Sequence, residues 1–368
     1  MLAAELRVRL VERRRAETSG DDGPADLEVT VRRLVDEAAA LLSDARREQI
    51  VDLILRDTVG LGPLEEILAD DEVEEVMVNG HEAVYVERRG RIERSEIRFE
   101  SERALRDAIE RILAPLGRRV DELSPMADAR LADGSRVNVV IPPLAIDGPA
   151  LSVRRFTAAR PGPEDLVAGG TLTAELRGLL ADAVGARRSV LVSGGTGSGK
   201  TTLLNALSAW IDPGERVVTI EDAAELRLRQ PHVVRLESRP ASVEGRGEVS
   251  IRDLLRNALR MRPDRIVIGE VRGAEALDLL TALNTGHEGA LSTVHANSPE
   301  DALRRIETLS LMAGLGLPHE AIREQVARGF DLVVHMARAA SGDRQVIELA
   351  EVVRTAAGAG VRELWRRR

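Results

Sequence analysis

The sequence predicts an α/β protein of two domains: an N-terminal α+β domain preceded by helices, and a C-terminal domain with a mostly parallel sheet. Three observations predict this class. The chain has 368 residues, enough for two domains with substantial cores. Apolar residues recur with a period of two between about residues 73 and 156, which indicates the strands of a small sheet. From about residue 189 onward strands and helices alternate, which is typical of a parallel sheet covered by helices.

The section before the sheet domain, residues 1–58, is predicted to be helical. Residues 2–16 carry apolar side chains at helical spacing among arginines and glutamates. A break rich in Gly, Ser and Asp follows, and two further helices are predicted over residues 26–42 and 44–58. Ser43 is the expected N-cap of the second of these helices.

Residues 59–156 are predicted to form the N-terminal sheet domain. Two dipeptides, Asn79-Gly80 and Asp133-Gly134, are typical of the turns that join antiparallel strands. Ser101 precedes a helical pattern and is expected to cap it. The predicted elements are strands over 76–80 and 83–87, a helix over 102–113, strands over 129–131 and 135–141, and a last strand over 150–156.

Residues 157–172 predict a hinge linker, because Pro and Gly recur there around a short helix. Residues 173–368 then form the second predicted domain, and an Arg-rich tail is expected to close the chain. The predicted strands are 189–193, 216–220, 265–269, 289–294, 332–337 and 345–353, and the predicted helices are 200–209, 250–260, 274–284, 299–311 and 319–329.

Composition narrows the classes of function. A net charge of −9 and a pI near 5.4 argue against stable binding of nucleic acid through overall charge. The sequence has no cysteine, which excludes disulfides, thiol catalysis and a Cys-ligated zinc site. No apolar stretch approaches the roughly 18 residues of a membrane span, and the charged N-terminus lacks a signal-peptide core. We therefore expect a cytoplasmic protein.

A glycine-rich stretch after the strand 189–193 matches the P-loop pattern. Such a loop turns its backbone N–H groups inward, where they bind the phosphates of a nucleotide. Lys200 adds a cation near the β- and γ-phosphates, Thr201 offers a hydroxyl to Mg²⁺, and the helix through Thr202 directs its positive end at the anion. The predicted ligands of a nucleotide with Mg²⁺ are Gly194, Gly195, Thr196, Gly197, Ser198, Gly199, Lys200, Thr201 and Thr202.

Two acidic residues at strand ends are predicted to act in hydrolysis, which needs a carboxylate to polarise a water molecule. The strand 265–269 leads to Glu270 in the form of a Walker B element, and the carboxyl ends of parallel strands face the ligand crevice. Glu270 is therefore the predicted general base. Glu221 follows the strand 216–220 in the same way and is predicted to hold water or hydrated Mg²⁺.

His295 and Thr293 lie at another predicted strand end. A histidine in this position can sense the γ-phosphate or donate a hydrogen bond to it. The alternative is a structural histidine.

The order of these four elements resembles that of the type II and type IV secretion and pilus ATPases. The elements are the P-loop, an acidic box around Glu221, a Walker B strand ending in Gly-Glu, and the sequence Ser-Thr-Val-His-Ala-Asn-Ser at 292–298. Within that superfamily the chain is more similar to the tight-adherence (Flp) pilus assembly ATPases, over roughly residues 55–355. The segments that carry this closer resemblance are Leu61–Glu65, Val76–Gly80, Asp128–Asn138 and Met261–Arg265.

The resemblance implies a homo-hexamer in which each subunit hinges a PAS-like N-terminal sheet domain to a RecA-like ATPase domain, with ATP bound between them. It also implies that arginines of the N-terminal domain reach the phosphates. Arg136 and Arg154 match those positions, with Arg130 and Arg155 as weaker matches. Platform proteins of the inner membrane are the implied partners, which would make the protein peripheral at the inner face of the plasma membrane.

The predicted function is thus an ATPase motor for assembly of an Flp-type pilus or for type II secretion. Two alternatives stay open: a type IV secretion ATPase of the conjugation type, whose motor would be nearly identical, and a regulatory subunit that binds ATP and barely hydrolyses it. A small-molecule kinase is disfavoured, because nothing in the sequence resembles an acceptor lid. Type II secretion ATPases often carry a tetracysteine zinc module, which a chain without cysteine lacks.

Overall fold

A computed structural model describes residues 24–39, 42–58, 61–88, 90–131, 133–156, 161–239, 246–339, 341–355 and 358–367. The chain divides into two compact units, Met1–Thr157 and Ala158–Arg368. The helix predicted over residues 2–16 lies outside the described residues. Within the described part of the chain, no helix combines the length and the apolar character needed to cross a membrane.

The first unit begins with two helices, α1 (Pro24–Ala38) and α2 (Asp44–Thr58). The bounds of α2 are those predicted, whereas α1 ends four residues earlier than predicted, and the backbone N–H of Leu42 donates to the carbonyl of Ala39 in a turn. The two helices pack through a small apolar cluster, and Arg32 on α1 forks onto Glu48 on α2 with bonds of 2.6 and 2.7 Å. The apolar residues of this cluster are Val31, Leu34, Val35, Ala39, Val51 and Ile54.

The rest of the first unit is a six-stranded sheet in the order β3-β2-β1-β6-β5-β4, in which each neighbouring pair is antiparallel. The predicted strands and helix are confirmed, while the short helix α3 and the strand β3 were not predicted. The elements are α3 (Leu64–Leu68), β1 (Val73–Asn79), β2 (Ala83–Arg88), β3 (Arg91–Arg94), α4 (Glu102–Leu113), β4 (Met126–Arg130), β5 (Arg136–Val140) and β6 (Ala150–Arg154).

Local chemistry explains these boundaries. Gly80 has φ +67°, the left-handed conformation that the turn after β1 requires. The hydroxyl of Ser101 accepts a hydrogen bond of 3.2 Å from the backbone N–H of Ala104 and caps α4 as predicted. The last strand is two residues shorter than predicted, because the N–H of Phe156 donates to the hydroxyl of Ser135 instead of to a neighbouring strand.

The second unit is built on an eight-stranded sheet in the order β14-β13-β12-β7-β11-β10-β8-β9. The strands from β12 to β9 in this order are parallel, while β13 and β14 add antiparallel strands at one edge, so the mostly parallel sheet is confirmed. Its strands are β7 (Val190–Gly194), β8 (Val217–Glu221), β9 (Val233–Glu237), β10 (Arg265–Ile268), β11 (Leu291–His295), β12 (Leu332–Arg338), β13 (Arg344–Thr355) and β14 (Gly358–Arg366).

Helices cover both faces of this sheet, as expected when parallel strands are joined by crossovers. One apolar core contains residues of α8, α9, α10 and α11, and the other contains residues of α6 and α7. The helices are α5 (Pro163–Ala168), α6 (Ala174–Gly185), α7 (Lys200–Leu207), α8 (Ile251–Ala258), α9 (Glu275–Leu283), α10 (Pro299–Leu311) and α11 (His319–Gly329).

The Arg-rich tail is the main correction to the predicted fold, since Gly358–Arg366 is the strand β14. Its arginines pair with carboxylates of the neighbouring strand: Arg366 binds Glu348 at 2.9 Å, and Arg362 binds Glu351. Charged side chains on an edge strand hinder its pairing with a further chain, and they also hide the strand from a search for apolar alternation. The strand β9 and the helix α6 were likewise not predicted.

Candidate nucleotide-binding site

The P-loop connects the buried strand β7 to the helix α7, as predicted. Three of its glycines are required by space or by backbone conformation. A β-carbon on Gly194 would lie 2.5 Å from the carbonyl oxygen of Met336 and 2.6 Å from Oγ of Ser198. Gly197 and Gly199 adopt φ values of +70° and +93°, which side chains rarely tolerate. The loop therefore curls in the way that brings successive N–H groups to one concave surface.

Lys200 is the only lysine of the sequence, and its ammonium is held inside this loop. It donates hydrogen bonds of 3.1 Å to the carbonyl of Gly194 and 2.9 Å to that of Gly195, and the residue is 7% exposed. Its third close neighbour is Nε2 of His295, at 3.3 Å. The ammonium thus satisfies its donors with backbone oxygens of the loop and a ring nitrogen.

Other polar atoms of the loop fit a phosphate ligand. Oγ of Ser198 is buried and has no hydrogen-bond partner among the described residues. A buried hydroxyl without a partner is costly, and a phosphate oxygen in the loop would supply one. Thr201 and Thr202, in the first turn of α7, are half-buried. Gly195 and Thr196 form the exposed tip of the loop.

Parallel pairing of β7, β11, β10 and β8 brings the predicted chemical groups to one edge of the sheet. His295 pairs directly with Gly194, and Ile268 pairs with Ile220, so that Glu270 and Glu221 follow at the same ends. Thr293 has a different role from His295: its buried hydroxyl donates to the carbonyl of Gly269 at 2.7 Å and ties two strand ends together.

Glu270 is surrounded by cationic and hydrogen-bonding groups. Its Oε1 lies 3.1 Å from Nε2 of His295 and 2.8 Å from Nε of Arg272, while its Oε2 accepts a bond of 2.9 Å from Nη2 of Arg272. Burial by itself would raise the pKa of Glu270, but the hydrogen bond and charge of Arg272, aided by Lys200, bring that pKa below its ordinary value. Glu270 is therefore ionised at neutral pH.

His295 is placed between this carboxylate and the P-loop ammonium. Burial and the charge of Lys200 lower the pKa of His295, and the nearby Glu270 opposes them only in part. The ring is therefore neutral at pH 7, and its Nε2 can accept a hydrogen bond from Lys200.

Glu221 is buried more deeply than Glu270, with 3% exposure. Its Oε1 accepts bonds of 3.0 and 2.9 Å from the backbone N–H groups of Glu225 and Leu226, whereas its buried Oε2 has no partner among the described residues. Burial raises the pKa of Glu221 to about 7, although the two N–H groups act in the opposite direction. Gly269 makes room for this side chain, since a β-carbon there would lie 2.9 Å from Cγ of Glu221.

Sequence reasoning did not identify Arg272 and Asp222, which complete the cluster around Glu270. Nη1 of Arg272 lies 3.4 Å from Oδ2 of Asp222. The sequence does place an arginine two residues after the predicted general base. That the side chain of Arg272 turns back onto Glu270 is visible only in the fold.

Two more arginines beside the P-loop were also not predicted. Arg338 and Arg344 pair across the β12–β13 hairpin. A β-carbon on Gly197 would lie 3.8 Å from Nη1 of Arg338, and one on Gly199 would lie 3.3 Å from Cδ of Arg344. These two arginines lie beside the P-loop because β12 pairs in parallel with β7. Nothing in the sequence around Arg338 and Arg344 predicts that pairing.

The predicted arginines of the first unit form a row across three strands. Arg136 on β5 pairs with Arg130 on β4 and with Arg154 on β6. Arg130 donates to the carbonyl of Gly134 at 3.3 Å. Arg155, a weaker candidate, instead binds Asp71 at 3.0 Å and backbone carbonyls near β1, as a residue with a structural role does.

Among the residues that the structure describes, no group of three or more His, Asp or Glu side chains could hold a metal ion by itself. A divalent cation at the P-loop would therefore take most of its ligands from phosphate and water, as Mg²⁺ commonly does.

This fold has the architecture of the P-loop NTPases, in which a RecA-like domain with a mostly parallel sheet follows an N-terminal sheet domain, so the predicted fold class is confirmed. The chain belongs to the type II/IV secretion system protein family, whose sequence model matches residues 57–361.

Two relatives illustrate the family. A putative conjugal transfer protein of Mycobacterium tuberculosis is 43% identical over 324 residues, which cover 86% of this chain and 91% of the relative. The type IV secretion system protein PtlH of Bordetella pertussis is 40% identical over 61% of this chain and 74% of its own length. These names favour the conjugation-type alternative over the closer resemblance to the tight-adherence pilus ATPases.

A solved structure shares the fold. The ATPase DotB of Legionella pneumophila matches with a TM-score of 0.55 at 20% identity, over 78% of this chain and 79% of that protein. An identity this low describes the architecture alone.

Proposed function

We propose that the protein is the ATP-hydrolysing motor of a type IV secretion machine of the conjugation type. One observation carries the hydrolytic part of this proposal: the P-loop ammonium of Lys200, the ring of His295 and the carboxylate of Glu270 are in contact, with distances of 3.3 and 3.1 Å. A phosphate-binding cation and a general base are thereby adjacent at one edge of the sheet, as hydrolysis of a phosphoanhydride requires. The names of the two relatives support the secretion part.

The residues divide the chemistry of ATP hydrolysis between them. The loop N–H groups and Lys200 bind the β- and γ-phosphates, for which the ammonium leaves the carbonyls of Gly194 and Gly195. Water attacks the γ-phosphorus, the bond from this atom to the β–γ bridging oxygen breaks, and ADP leaves with the electron pair. Glu270 accepts the proton of the attacking water. His295, adjacent to both groups, detects the loss of the γ-phosphate.

The residues also fit Mg²⁺ as the companion of the nucleotide. The hydroxyl of Thr201 would hold the ion directly, and the free Oε2 of Glu221 would hold it through water. When bound, the ion neutralises charge that develops on the phosphates. This assignment agrees with the lack of an all-protein cation cage in the described part of the chain.

The remaining parts of the proposal concern larger assemblies. Arg136 and Arg154 would bind the phosphates of the nucleotide as forked donors, since guanidinium groups suit phosphate oxygens. The hinge is proposed over residues 157–172, between a sheet domain at 59–156 and the ATPase domain at 173–368. Copies of the chain would form a homo-hexamer that acts on platform proteins at the inner face of the plasma membrane. The resemblance of the sequence motifs to secretion ATPases supports these statements.

The first experiment measures phosphate release from Mg-ATP by the full chain and by the variant Glu270→Gln. We expect steady hydrolysis by the parent and a decrease of about 100-fold or more in the variant, with nucleotide affinity retained. The matched control is Glu324→Gln, which alters an exposed carboxylate on α11. A parent chain that binds ATP but releases no phosphate would favour the regulatory-subunit alternative.

A second experiment distinguishes the conjugation-type machine from a pilus assembly machine. The gene is deleted in its host, and both DNA transfer to a recipient and surface pili are measured. Complementation with the parent should restore transfer, whereas Glu270→Gln should not. Loss of pili with unchanged transfer would favour the tight-adherence alternative. Solution mass with and without a non-hydrolysable ATP analogue tests the hexamer.

A further inference from the structure

Arg272 binds the predicted general base through both oxygens of the carboxylate. Its Nε lies 2.8 Å from Oε1 of Glu270, and its Nη2 donates to Oε2 at 2.9 Å. This is the forked arrangement in which a guanidinium fixes the plane and direction of a carboxylate as well as its charge. A single point charge such as an ammonium would fix neither.

The third arm of the same guanidinium reaches a neighbouring strand. Nη1 of Arg272 lies 3.4 Å from Oδ2 of Asp222, which directly follows β8. Arg272 therefore connects the acidic ends of β10 and β8 at the edge of the sheet where the P-loop also lies. A guanidinium with two carboxylate partners can loosen its hold on one while it keeps the other.

The backbone at Arg272 is fixed independently of its side chain. The N–H groups of Arg272 and Gly273 donate to Oε1 of Glu275 at 2.7 and 2.8 Å, and Glu275 is buried at the start of α9. The side chain of Arg272, in contrast, is 57% exposed. Replacing the side chain therefore leaves the loop anchored and removes little apolar contact.

Other charged groups around Glu270 do not duplicate this role. His295 contacts Oε1 at 3.1 Å, and Lys200 donates to carbonyls of the P-loop and lies against His295. Oε2 of Glu270 accepts a hydrogen bond from Nη2 of Arg272. The charged and titratable groups that face the Glu270–Arg272 pair are Lys200, His295, Asp222 and Glu225.

We propose that Arg272 is the positioning residue of the general base, which orients the Glu270 carboxylate toward the attacking water and transfers one arm to Asp222 when Oε2 takes up the proton. The inference rests on the proposed ATPase function. Arg272 itself does not bind the nucleotide in this scheme. Its loss should therefore lower kcat and change the pH dependence of kcat, while KM and nucleotide affinity stay near those of the parent.

The experiment compares the full chain with Arg272→Ala, Arg272→Lys and Glu270→Gln by steady-state phosphate release between pH 5 and pH 9. For Arg272→Ala we expect kcat to fall about tenfold or more, with KM within about threefold of the parent value. The acidic limb of its pH profile should move about one unit or more to higher pH, because an adjacent cation favours the ionised carboxylate. Arg272→Lys should restore the pH profile and only part of kcat, since an ammonium supplies the charge without the fork.

The matched control is Arg256→Ala, which removes a similar surface pair with Asp278 at 2.8 Å on another element. Binding of a fluorescent ATP analogue and thermal unfolding are measured for every variant. If Arg272→Ala is too unstable to assay, Arg272→Lys tests the proposal instead. A lower kcat with an unchanged KM in this variant would support the positioning role of Arg272.

Different results overturn different claims. An active parent, an inactive Glu270→Gln and an Arg272→Ala with the kcat and pH profile of the parent would overturn the role of Arg272 and leave the ATPase proposal in place. A higher KM with unchanged kcat would also overturn it, because Arg272 would then bind substrate. A folded parent without ATPase activity would overturn the proposed function, and this inference with it.

Discussion

Nε2 of His295 lies 3.3 Å from the ammonium of Lys200, so the end of β11 is in hydrogen-bonding contact with the P-loop. The same nitrogen is 3.1 Å from Oε1 of Glu270. One nitrogen cannot accept from the ammonium and donate to the carboxylate at once. Because the pKa of His295 is lowered by burial and by Lys200, the neutral ring accepts from Lys200 in this state. Movement of Lys200 onto a phosphate would release the ring toward Glu270.

The substitution His295→Ala tests whether the contacts of His295 with Lys200 and Glu270 matter for hydrolysis. We expect kcat for ATP hydrolysis to fall about 10- to 100-fold, the effect of removing one charged hydrogen bond, with smaller change in nucleotide affinity. His319→Ala is the matched control, since it breaks another His–Glu pair, with Glu307 at 3.2 Å. Equal effects of the two substitutions on kcat would contradict a specific role for His295.

Lys200→Ala and Lys200→Arg should both weaken nucleotide binding. The alanine variant removes the cation, and we expect the Kd of a fluorescent ATP analogue to rise about 10- to 100-fold. The arginine variant keeps the charge, but its planar fork cannot enter the space in which the ammonium contacts the carbonyls of Gly194 and Gly195. ATP turnover at the parent rate by either variant would contradict the proposed role of Lys200 in binding the phosphates.

Glu221 should make the stability of the second unit depend on pH. Its pKa is raised from 4.5 to about 7 in the folded chain, so the folded chain holds this proton more tightly than the unfolded chain. The contribution to the free energy of unfolding is complete below pH 4.5 and is lost as pH rises through 7, by roughly 3 kcal/mol at most.

Urea denaturation at pH 5 and pH 8, without nucleotide or Mg²⁺, measures this effect. Glu221→Gln should lose less stability than the parent between the two pH values, whereas the exposed-site variant Glu324→Gln should follow the parent. Parallel pH dependence in Glu221→Gln and the parent would show that Glu221 does not titrate in this range.

Gly289→Ala should strongly destabilise the second unit. Gly289 has φ +77°, and a β-carbon there would overlap Nη1 of Arg265, which is 1% exposed and bound to Glu215. We expect a loss of roughly 3–5 kcal/mol, since the substitution displaces a buried charge from its partners.

The control for this substitution is Gly286→Ala. Gly286 has φ +97° but no atom within 4 Å of a β-carbon, so it isolates the conformational cost of about 1–2 kcal/mol. Equal midpoints of urea denaturation for the two variants would mean that Arg265 adapts to the added methyl group.

Arg136→Ala and Arg154→Ala test the predicted arginines of the first unit. A guanidinium that stabilises charge on the transferring phosphate should, when removed, lower kcat by about 1,000-fold or more. Arg94→Ala, on the exposed strand β3, is the control. Parent-like kcat in both Arg136→Ala and Arg154→Ala would exclude these residues from the nucleotide site.

Much of the fold was predictable because its signals are local. The turn at Asn79-Gly80, the cap at Ser101 and the contiguous P-loop each depend on a few neighbouring residues, and all three occur as predicted. The strand β14 was missed because its arginines give it the composition of a charged tail, and their pairing with carboxylates of the preceding strand β13 is known only from the fold.

The parts of the site that could be predicted are the residues at the carboxyl ends of strands. Glu270 and His295 meet because parallel strands align their carboxyl ends. The fork of Arg272 and the inward turn of Glu221 depend on side-chain directions, which only packing determines. The unpaired Oε2 of Glu221 likewise has no counterpart in the sequence pattern.

Because Lys200 is the single lysine and lies inside the P-loop, its reactivity can report whether the loop holds a nucleotide. Every other basic side chain except histidine is an arginine, so Lys200 carries the sole side-chain primary amine of the 368 residues. An acylating reagent can therefore tag just this amine and the α-amino group. The rate of acylation at the peptide that contains Lys200, followed with and without ATP, would then distinguish the empty loop from the filled one.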